Sequence, residues 1–154
     1  MEDKDLLIKD LGCRIYTDTQ ILVISDSSDH GFLEGEVNSI LMPYHIEAFK
    51  AGTIEIMPYL RSFSSMTEEE KKELLKTVVK NKKVLKYFQV LSDGSIDNTD
   101  AVIQFGDSEV HWINFDGINT SSYIDWCNAR HFDYRGLIKR ELALEAPEGM
   151  YNNN

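Results

Sequence analysis

The sequence is poor in the residues that build cross-linked, metal-bound or membrane-spanning proteins. It has only two cysteines, Cys13 and Cys127, which lie far apart and form no Cys-x-x-Cys motif. This spacing favours free thiols over a zinc site, and a single disulfide between them is the less favoured alternative. No apolar run approaches the ~20 residues of a transmembrane helix, and the charged start MEDKDLL does not resemble a signal peptide. We therefore expect a reduced, soluble, cytoplasmic protein that does not bind membranes.

Positive charge is also scarce, with 16 Lys and Arg residues against 26 Asp and Glu residues and a formal net charge of -10. Because such a surface repels phosphates at long range, generic nucleic-acid binding is not expected. A narrower hypothesis is that the acidic surface imitates nucleic acid and occupies a basic site on an enzyme. Seven lysines nevertheless fall in one short stretch: Lys71, Lys72, Lys76, Lys80, Lys82, Lys83 and Lys86. The favoured interpretation of that stretch is a solvated helix face, and the alternative is a basic patch for an acidic partner.

Recognised catalytic and nucleotide-binding motifs are missing as well. The nine glycines never form Gly-x-Gly-x-x-Gly or a phosphate loop. Gly-x-Ser-x-Gly, His-Glu-x-x-His and kinase-like strings are also absent from the sequence. The sequence therefore predicts no cofactor and gives nucleotide binding no support.

The composition that remains is that of a folded protein, with 42% hydrophobic and 27% charged residues. Its length predicts a single domain over residues 1–151. The asparagines at 152–154 predict a short disordered tail, since they have nothing to bury.

The first half of the chain predicts alternating helices and strands. Residues 4–14 form an amphipathic pattern that Asp3 could cap, and residues 20–25 read as a buried strand. Residues 32–42 predict two strands or one bent strand ended by Pro43. Residues 45–50 are ambiguous, and a strand through Ile54 and Ile56 is expected to stop at Pro58.

The second half opens with the clearest local signal, a capping box of Thr67 and Glu70 before a helix with Leu74, Leu75, Val78 and Val79 on one side. Residues 82–91 are either helix or strand, with helix favoured, and residues 92–100 read as a loop. Residues 101–115 predict a β-hairpin.

Two C-terminal helices are expected, the first capped by Ser121 or Ser122 and the second, after Asp133, carrying Leu137, Ile138 and Leu142. The predicted class is α+β, with a mainly antiparallel sheet of about five short strands.

Two blocks, PYLRSFSSMTEEEKKE at 58–73 and WCNARHFDYRGLIKRELALEAPEGMY at 126–151, carry a resemblance. Together with a weaker match at 5–15, the chain resembles short uncharacterised proteins encoded by bacteriophages and prophages of anaerobic gut bacteria. The resemblance covers roughly a third of the chain. It implies a small cytoplasmic accessory protein of phage type and implies no activity and no catalytic residues.

The second block also holds the densest mixture of aromatic, basic and titratable side chains, which is typical of binding surfaces. The candidate binding residues are Trp126, Arg130, His131, Asp133, Tyr134 and Arg135. A structural interpretation is favoured for two of them: Asp133 caps the following helix, and Arg135 pairs with a nearby carboxylate. The aromatic residues are expected to belong to the core.

Catalytic and metal-binding alternatives are weaker. Cys127 and His131 are four residues apart, as an activated thiol would require, but no oxyanion-stabilising group accompanies them. Glu109 and His111 could supply two metal ligands where three or four are needed, so no metal site is predicted.

The favoured hypothesis is a small acidic protein that binds another protein without catalysis. A small enzyme with a site around His111, Cys127 and His131 is the first alternative, and a homo-oligomeric structural component is the second. The sequence does not indicate the partner or the oligomeric state.

Overall fold

A computed structural model describes residues 2–27, 31–97 and 118–151 of the chain. The chain divides into two compact units, which we call the sheet unit (Met1–Ser62 and Asn128–Asn154) and the capped-helix unit (Phe63–Cys127). Both contain helices and strands, so the predicted α+β class is confirmed. That residues 1–151 form one domain stays a prediction, and the expected tail at 152–154 lies outside the described residues.

The sheet unit is organised around a four-stranded sheet. Its strands are β1 (Gln20–Ser25), β2 (Gly35–Ile40), β3 (Glu55–Leu60) and β6 (Leu144–Glu145), in the spatial order β2-β1-β3-β6. Strand β1 is antiparallel to both neighbours, whereas β6 pairs in parallel with β3. The sheet is therefore mainly antiparallel, as predicted.

One face of this sheet is covered by two helices, α1 (Asp3–Arg14) and α2 (Pro43–Lys50). Burial alternates along β1 because successive side chains point to opposite faces. The core contains residues from both helices, from strands β1 and β3, from positions next to the strands and from the C-terminal segment, namely Leu7, Leu11, Ile21, Val23, Leu41, Ile46, Phe49, Ile54, Ile56, Leu60, Leu137 and Ala143. The predicted apolar stripe of α1 is confirmed, since Leu7 and Leu11 are buried.

One strand boundary predicted from a proline is wrong, and the other is confirmed, since β2 ends before Pro43. Strand β3 does not stop at Pro58 but runs through it, with Pro58 opposite Ile21. Pairing with β6 starts only at Tyr59, so Pro58 lies where β3 has a neighbour on one side. Within residues 32–42, Gly35–Ile40 form one uninterrupted strand, β2, and Pro43 opens helix α2. The expected cap at Asp3 is also wrong, since Glu2 holds that position without a side-chain bond.

The predicted second C-terminal helix does not form within residues 134–142, which are a series of turns. Gly136 and Glu141 have φ of 71° and 60°, values that an α-helix excludes. The Asp133 carboxylate accepts hydrogen bonds from the Leu137 and Ile138 amides at 2.8 and 2.9 Å. Leu137 is still buried and Ile138 and Leu142 are half-buried against the core, but they are held by turns instead of a helix.

The capped-helix unit begins with the 3₁₀ turn Phe63–Ser65 and helix α3 (Glu68–Val78). The capping box is confirmed: the Glu70 amide donates to Thr67 Oγ1 at 3.1 Å, and the Thr67 amide donates to Glu70 Oε2 at 2.9 Å. Leu74, Val78 and Val79 are fully buried.

A 3₁₀ helix (Lys82–Tyr87) follows α3, and a small hairpin of β4 (Gln89–Val90) and β5 (Ile96–Asp97) comes next. Residues 82–91 are thus part helix and part strand, and the expected loop at 92–100 contains a strand. Helix α4 (Thr120–Ala129) is capped by Asn119, whose Oδ1 accepts from the Ser122 amide at 3.0 Å, so the predicted Ser121 or Ser122 cap is wrong. The predicted hairpin at 101–115 lies outside the described residues.

Candidate binding site

The polar residues of the C-terminal block make contacts inside the sheet unit. Arg135 Nε lies 3.2 Å from Asp10 Oδ1, and its guanidinium lies 4.8 Å from the centre of the Tyr134 ring. Burial raises the pKa of Tyr134. Asp133 is engaged by the two amides described above. The predicted pairing of Arg135 with a carboxylate is thus confirmed, whereas Asp133 binds the amides of a turn and not the start of the predicted helix.

Helix α1 contributes a buried ion pair to the same region. Arg14 Nε donates to Asp10 Oδ2 at 2.8 Å, and both side chains are fully buried. Arg14 Nη2 also donates to the Phe132 carbonyl at 2.9 Å, which ties α1 to the C-terminal block. Arg14 Nη1 has no hydrogen-bond partner among the described residues. This pair fixes the position of the block against α1.

His131 is buried and held on two sides. Its Nδ1 lies 3.1 Å from Thr19 Oγ1, and its ring stacks on Tyr151 with the centroids 3.7 Å apart. Burial, with Arg14 and Arg61 nearby, lowers the pKa of His131 to about 4. The ring is therefore neutral at pH 7. Its φ of 64° places the backbone in the left-handed region.

Tyr151, which stacks on His131, is itself held by two hydrogen bonds to the sheet. Its hydroxyl accepts from the Gln20 amide at 2.9 Å and donates to the Tyr59 carbonyl at 2.7 Å, joining β1 to β3. Burial raises the pKa of Tyr151 to about 12. The segment that ends at Tyr151 is therefore part of the fold.

The remaining candidate residues lie on or just after α4. Trp126 and Cys127 are buried and Arg130 is half-buried. A buried thiol behaves as a small apolar side chain, which is not the exposed, electropositive setting of a reactive cysteine. His111, the third residue of the enzyme hypothesis, lies outside the described residues. The binding role of Trp126, Arg130, His131, Asp133, Tyr134 and Arg135 stays a prediction.

One of the candidate binding residues, His131, lines a cleft of about 370 Å³. The cleft is also lined by Tyr16, Thr17, Asp18, Gln20, Ala129, Met150 and Tyr151. Because Tyr151 covers the imidazole and Thr19 engages Nδ1, only part of the ring faces this space. The described residues of this cleft therefore present part of one imidazole and do not assemble a catalytic group around it.

A larger cleft of about 480 Å³ lies at the β2 end of the core, and we call it the edge cleft. It is lined by Val23, Gly31, Phe32, Leu33, Val37, Ser39, Tyr44, His45 and Ala48. Val37 and Ser39 lie opposite Val23 and Ile21 in the register, so they share the buried face of the sheet. The edge cleft therefore lies where the apolar layer between the sheet and α2 opens.

Strand β2 borders this cleft and is an edge strand of the sheet. Among the described residues, no strand pairs with its outer side, and none of its six residues is fully buried. An unpaired edge presents backbone donors and acceptors to any further extended chain.

The rim of the edge cleft is unusually apolar. Of the residues that line it, Leu33 is 71% exposed and Tyr44 is 56% exposed. Exposed apolar residues that cluster are typical of interaction sites, whereas scattered ones are ordinary.

His45 provides a rigid wall for the cleft. The Met42 amide donates to His45 Nδ1 at 3.0 Å, which places the ring proton of the neutral imidazole on Nε2. Burial lowers the pKa of His45, and its ring contacts those of Tyr44 and Phe32, with centroid distances of 4.2 and 6.0 Å. The aromatic wall is therefore uncharged at neutral pH.

Sequence reasoning missed the edge cleft because its residues come from three separate segments, each without a motif. The available signal was weak: Phe32 and Leu33 follow the polar stretch SDSSDHG and Tyr44 follows Pro43, but no local pattern places the three together.

No group of three or more His, Cys, Asp or Glu side chains in the described part of the chain could hold a metal ion. None of the helices described is long and apolar enough to cross a membrane. Comparison with known proteins gives no relative: no family model, curated protein or solved structure matches the chain.

Proposed function

We propose that the protein acts by binding another protein, without catalysis, and that the partner lays an extended segment along β2 with side chains in the edge cleft. The single observation that carries this proposal is the coincidence of an unpaired strand edge with an apolar cleft and an exposed apolar rim.

The geometry suits strand addition. A segment paired with β2 points alternate side chains toward the face that Val37 and Ser39 share, which is the face that the edge cleft opens on. In this mode of recognition, main-chain hydrogen bonds supply affinity and the pockets supply specificity.

Charge indicates the kind of segment that would fit. Glu34 and Glu36 are exposed at the start of β2, and the chain has a net charge of -10. A partner segment that combines apolar side chains with lysine or arginine is therefore favoured, and electrostatic attraction speeds its approach.

The biological setting follows from the resemblance of residues 58–73 and 126–151 to phage-encoded proteins. We propose a cytoplasmic accessory protein of phage type whose partner is a protein of the host cell. Binding through the C-terminal candidate residues is a less favoured route, because their described contacts are internal.

The test is affinity capture from producing cells with two matched double variants. Leu33→Asp/Tyr44→Asp places two carboxylates on the rim of the edge cleft, whereas Tyr16→Asp/Leu91→Asp places two on exposed apolar residues that do not line it. The first pair is expected to lose a protein that the wild type captures, and the second pair is expected to keep it.

Equal capture by both variants, or no specific protein captured by the wild type, would overturn the proposal. Light scattering on the purified wild type supplies a further check. A dimer that only Leu33→Asp/Tyr44→Asp dissociates would assign the surface to self-association instead.

A further inference from the structure

A second cleft lies within the capped-helix unit, and we call it the basic cleft. It has a volume of about 430 Å³ and is lined by Lys72, Leu75, Lys76, Lys82, Lys83, Leu85 and Lys86. The 3₁₀ helix Lys82–Tyr87 brings its own three lysines beside the two from α3. Lysines from two elements thus line one space, and all five are exposed.

The lysines of the basic cleft differ in what they already contact. Lys82 Nζ donates to the carbonyls of Lys76 and Val79 at the end of α3, where a cation is favourable. In contrast, Lys76, Lys83 and Lys86 form no ion pair with a carboxylate in the part of the chain that the structure describes. With respect to the described residues, the charges of Lys76 and Lys83 are therefore available to a ligand, whereas Lys86 Nζ lies 5.1 Å from the centre of the Tyr87 ring.

The floor of the basic cleft is apolar. Leu75 and Leu85 are half-buried, and the aliphatic stems of the lysines continue the surface between them. A ligand that matches both properties carries carboxylates around an aliphatic or aromatic side chain. None of the described residues that line the cleft is aromatic, so they provide no stacking platform of the kind that single-stranded nucleic acid requires.

We propose that the basic cleft binds an acidic peptide segment of another protein, with an apolar side chain against Leu75 and Leu85 and flanking carboxylates on the lysines. The occupant differs from the basic segment expected at the edge cleft. This proposal lies in the other unit of the chain and does not rest on the proposed function.

The test uses a fluorescein-labelled peptide, Glu-Glu-Phe-Glu-Glu-Leu-Glu-Glu, and fluorescence anisotropy with the full chain at low salt. Lys76→Gln/Lys83→Gln removes two charges that line the basic cleft. Lys71→Gln/Lys80→Gln removes two charges from the same stretch that do not line it. Circular dichroism establishes that both variants stay folded.

We expect saturable binding that Lys76→Gln/Lys83→Gln weakens about tenfold and that the control pair weakens less than about twofold. Replacing Phe and Leu of the peptide by Ser is expected to weaken binding about fivefold or more, because it removes the apolar contact.

Four results would overturn the proposal. They are the absence of saturable peptide binding, equal weakening by the two variants, equal binding of the Ser-substituted peptide, and tighter binding of an oligothymidylate of equal length. Because none of these variants lies in the edge cleft, failure here is distinguishable from failure of the proposed function.

Discussion

Buried polar side chains explain why the C-terminal block looks like a recognition surface in the sequence. His131 and the carboxylate of Asp133 are engaged within the sheet unit, and Arg135 joins the buried pair of Asp10 and Arg14. Polar groups in a core need partners, so their residue types resemble those of a binding site. The described contacts of these three residues are internal, while the binding role of the block stays a prediction.

The buried ion pair gives the first prediction at the residue scale. Asp10→Leu leaves Arg14 charged and unpaired, so the free energy of unfolding is expected to fall by about 3–5 kcal/mol. Asp10→Leu/Arg14→Met removes both charges and is expected to be more stable than the single variant by at least about 1 kcal/mol. Urea denaturation measures both values.

The exposed pair of Lys50 and Glu47 in α2, 3.2 Å apart, is the control. Glu47→Ala is expected to cost less than about 1 kcal/mol, because solvent screens exposed pairs. A double variant at Asp10 and Arg14 that is less stable than Asp10→Leu would contradict the account of the buried pair.

The second prediction concerns pH. Burial lowers the pKa of His131 from the ordinary 6.5 to about 4, so below pH 6.5 the unfolded chain binds a proton that the folded chain does not. Protonation of the unfolded chain therefore favours unfolding below pH 6.5. The free energy of unfolding is unaffected by protonation of this residue above pH 6.5 and falls as the pH drops toward 4. Between pH 6.5 and 5 we expect a loss of up to about 2 kcal/mol from this residue.

His131→Asn is the matched variant, since asparagine tolerates the φ of 64°. It is expected to be less stable at pH 7 but to show a shallower loss of stability from pH 6.5 to 5. Some slope remains, because burial lowers the pKa of His45 as well. Parallel pH profiles for the two proteins would be inconsistent with a neutral, buried His131.

At the scale of elements, the sequence predicted what local chemistry decides. The capping box of Thr67 and Glu70, the alternation of residues 20–25 and the stripe of Leu7 and Leu11 are set by neighbours in the sequence. The failures occurred where tertiary contacts override the local pattern. Leu137, Ile138 and Leu142 have helical spacing, but the Asp133 carboxylate and the φ values of Gly136 and Glu141 produce turns.

The C-terminal segment gives a prediction at this scale. Strand β6 pairs with β3, Leu137 and Ala143 lie in the core, and Tyr151 joins β1 to β3. Each fully buried large apolar side chain contributes about 1.5–3 kcal/mol. Deleting residues 136–154 is therefore expected to abolish the cooperative thermal transition seen by circular dichroism.

Removing only the asparagines at 152–154 is the control, and it is expected to leave the midpoint of the transition unchanged. A chain without residues 136–154 that keeps a native melt would show instead that the block is a detachable segment.

At the scale of the whole molecule, the net charge does not show that the chain has two clefts whose nearby charges are of opposite sign. The edge cleft has exposed Glu34 and Glu36 beside it, whereas the basic cleft concentrates five lysines in a chain whose formal charge is -10. The lysine stretch was visible in the sequence. The arrangement of these lysines around Leu75 and Leu85 was not visible in the sequence, because it depends on the turn between α3 and the 3₁₀ helix. The edge cleft joins Val23, Leu33 and Tyr44, whose proximity only the tertiary fold determines.

Site-specific photo-cross-linking in producing cells tests the central claim most directly. A photoreactive side chain replaces Leu33 at the rim of the edge cleft in one protein and the 93%-exposed Tyr16 in another. We predict a discrete adduct with a different protein from position 33 and none from position 16. The absence of an adduct at position 33, the same adducts from both positions, or an adduct only between copies of this chain would contradict the claim.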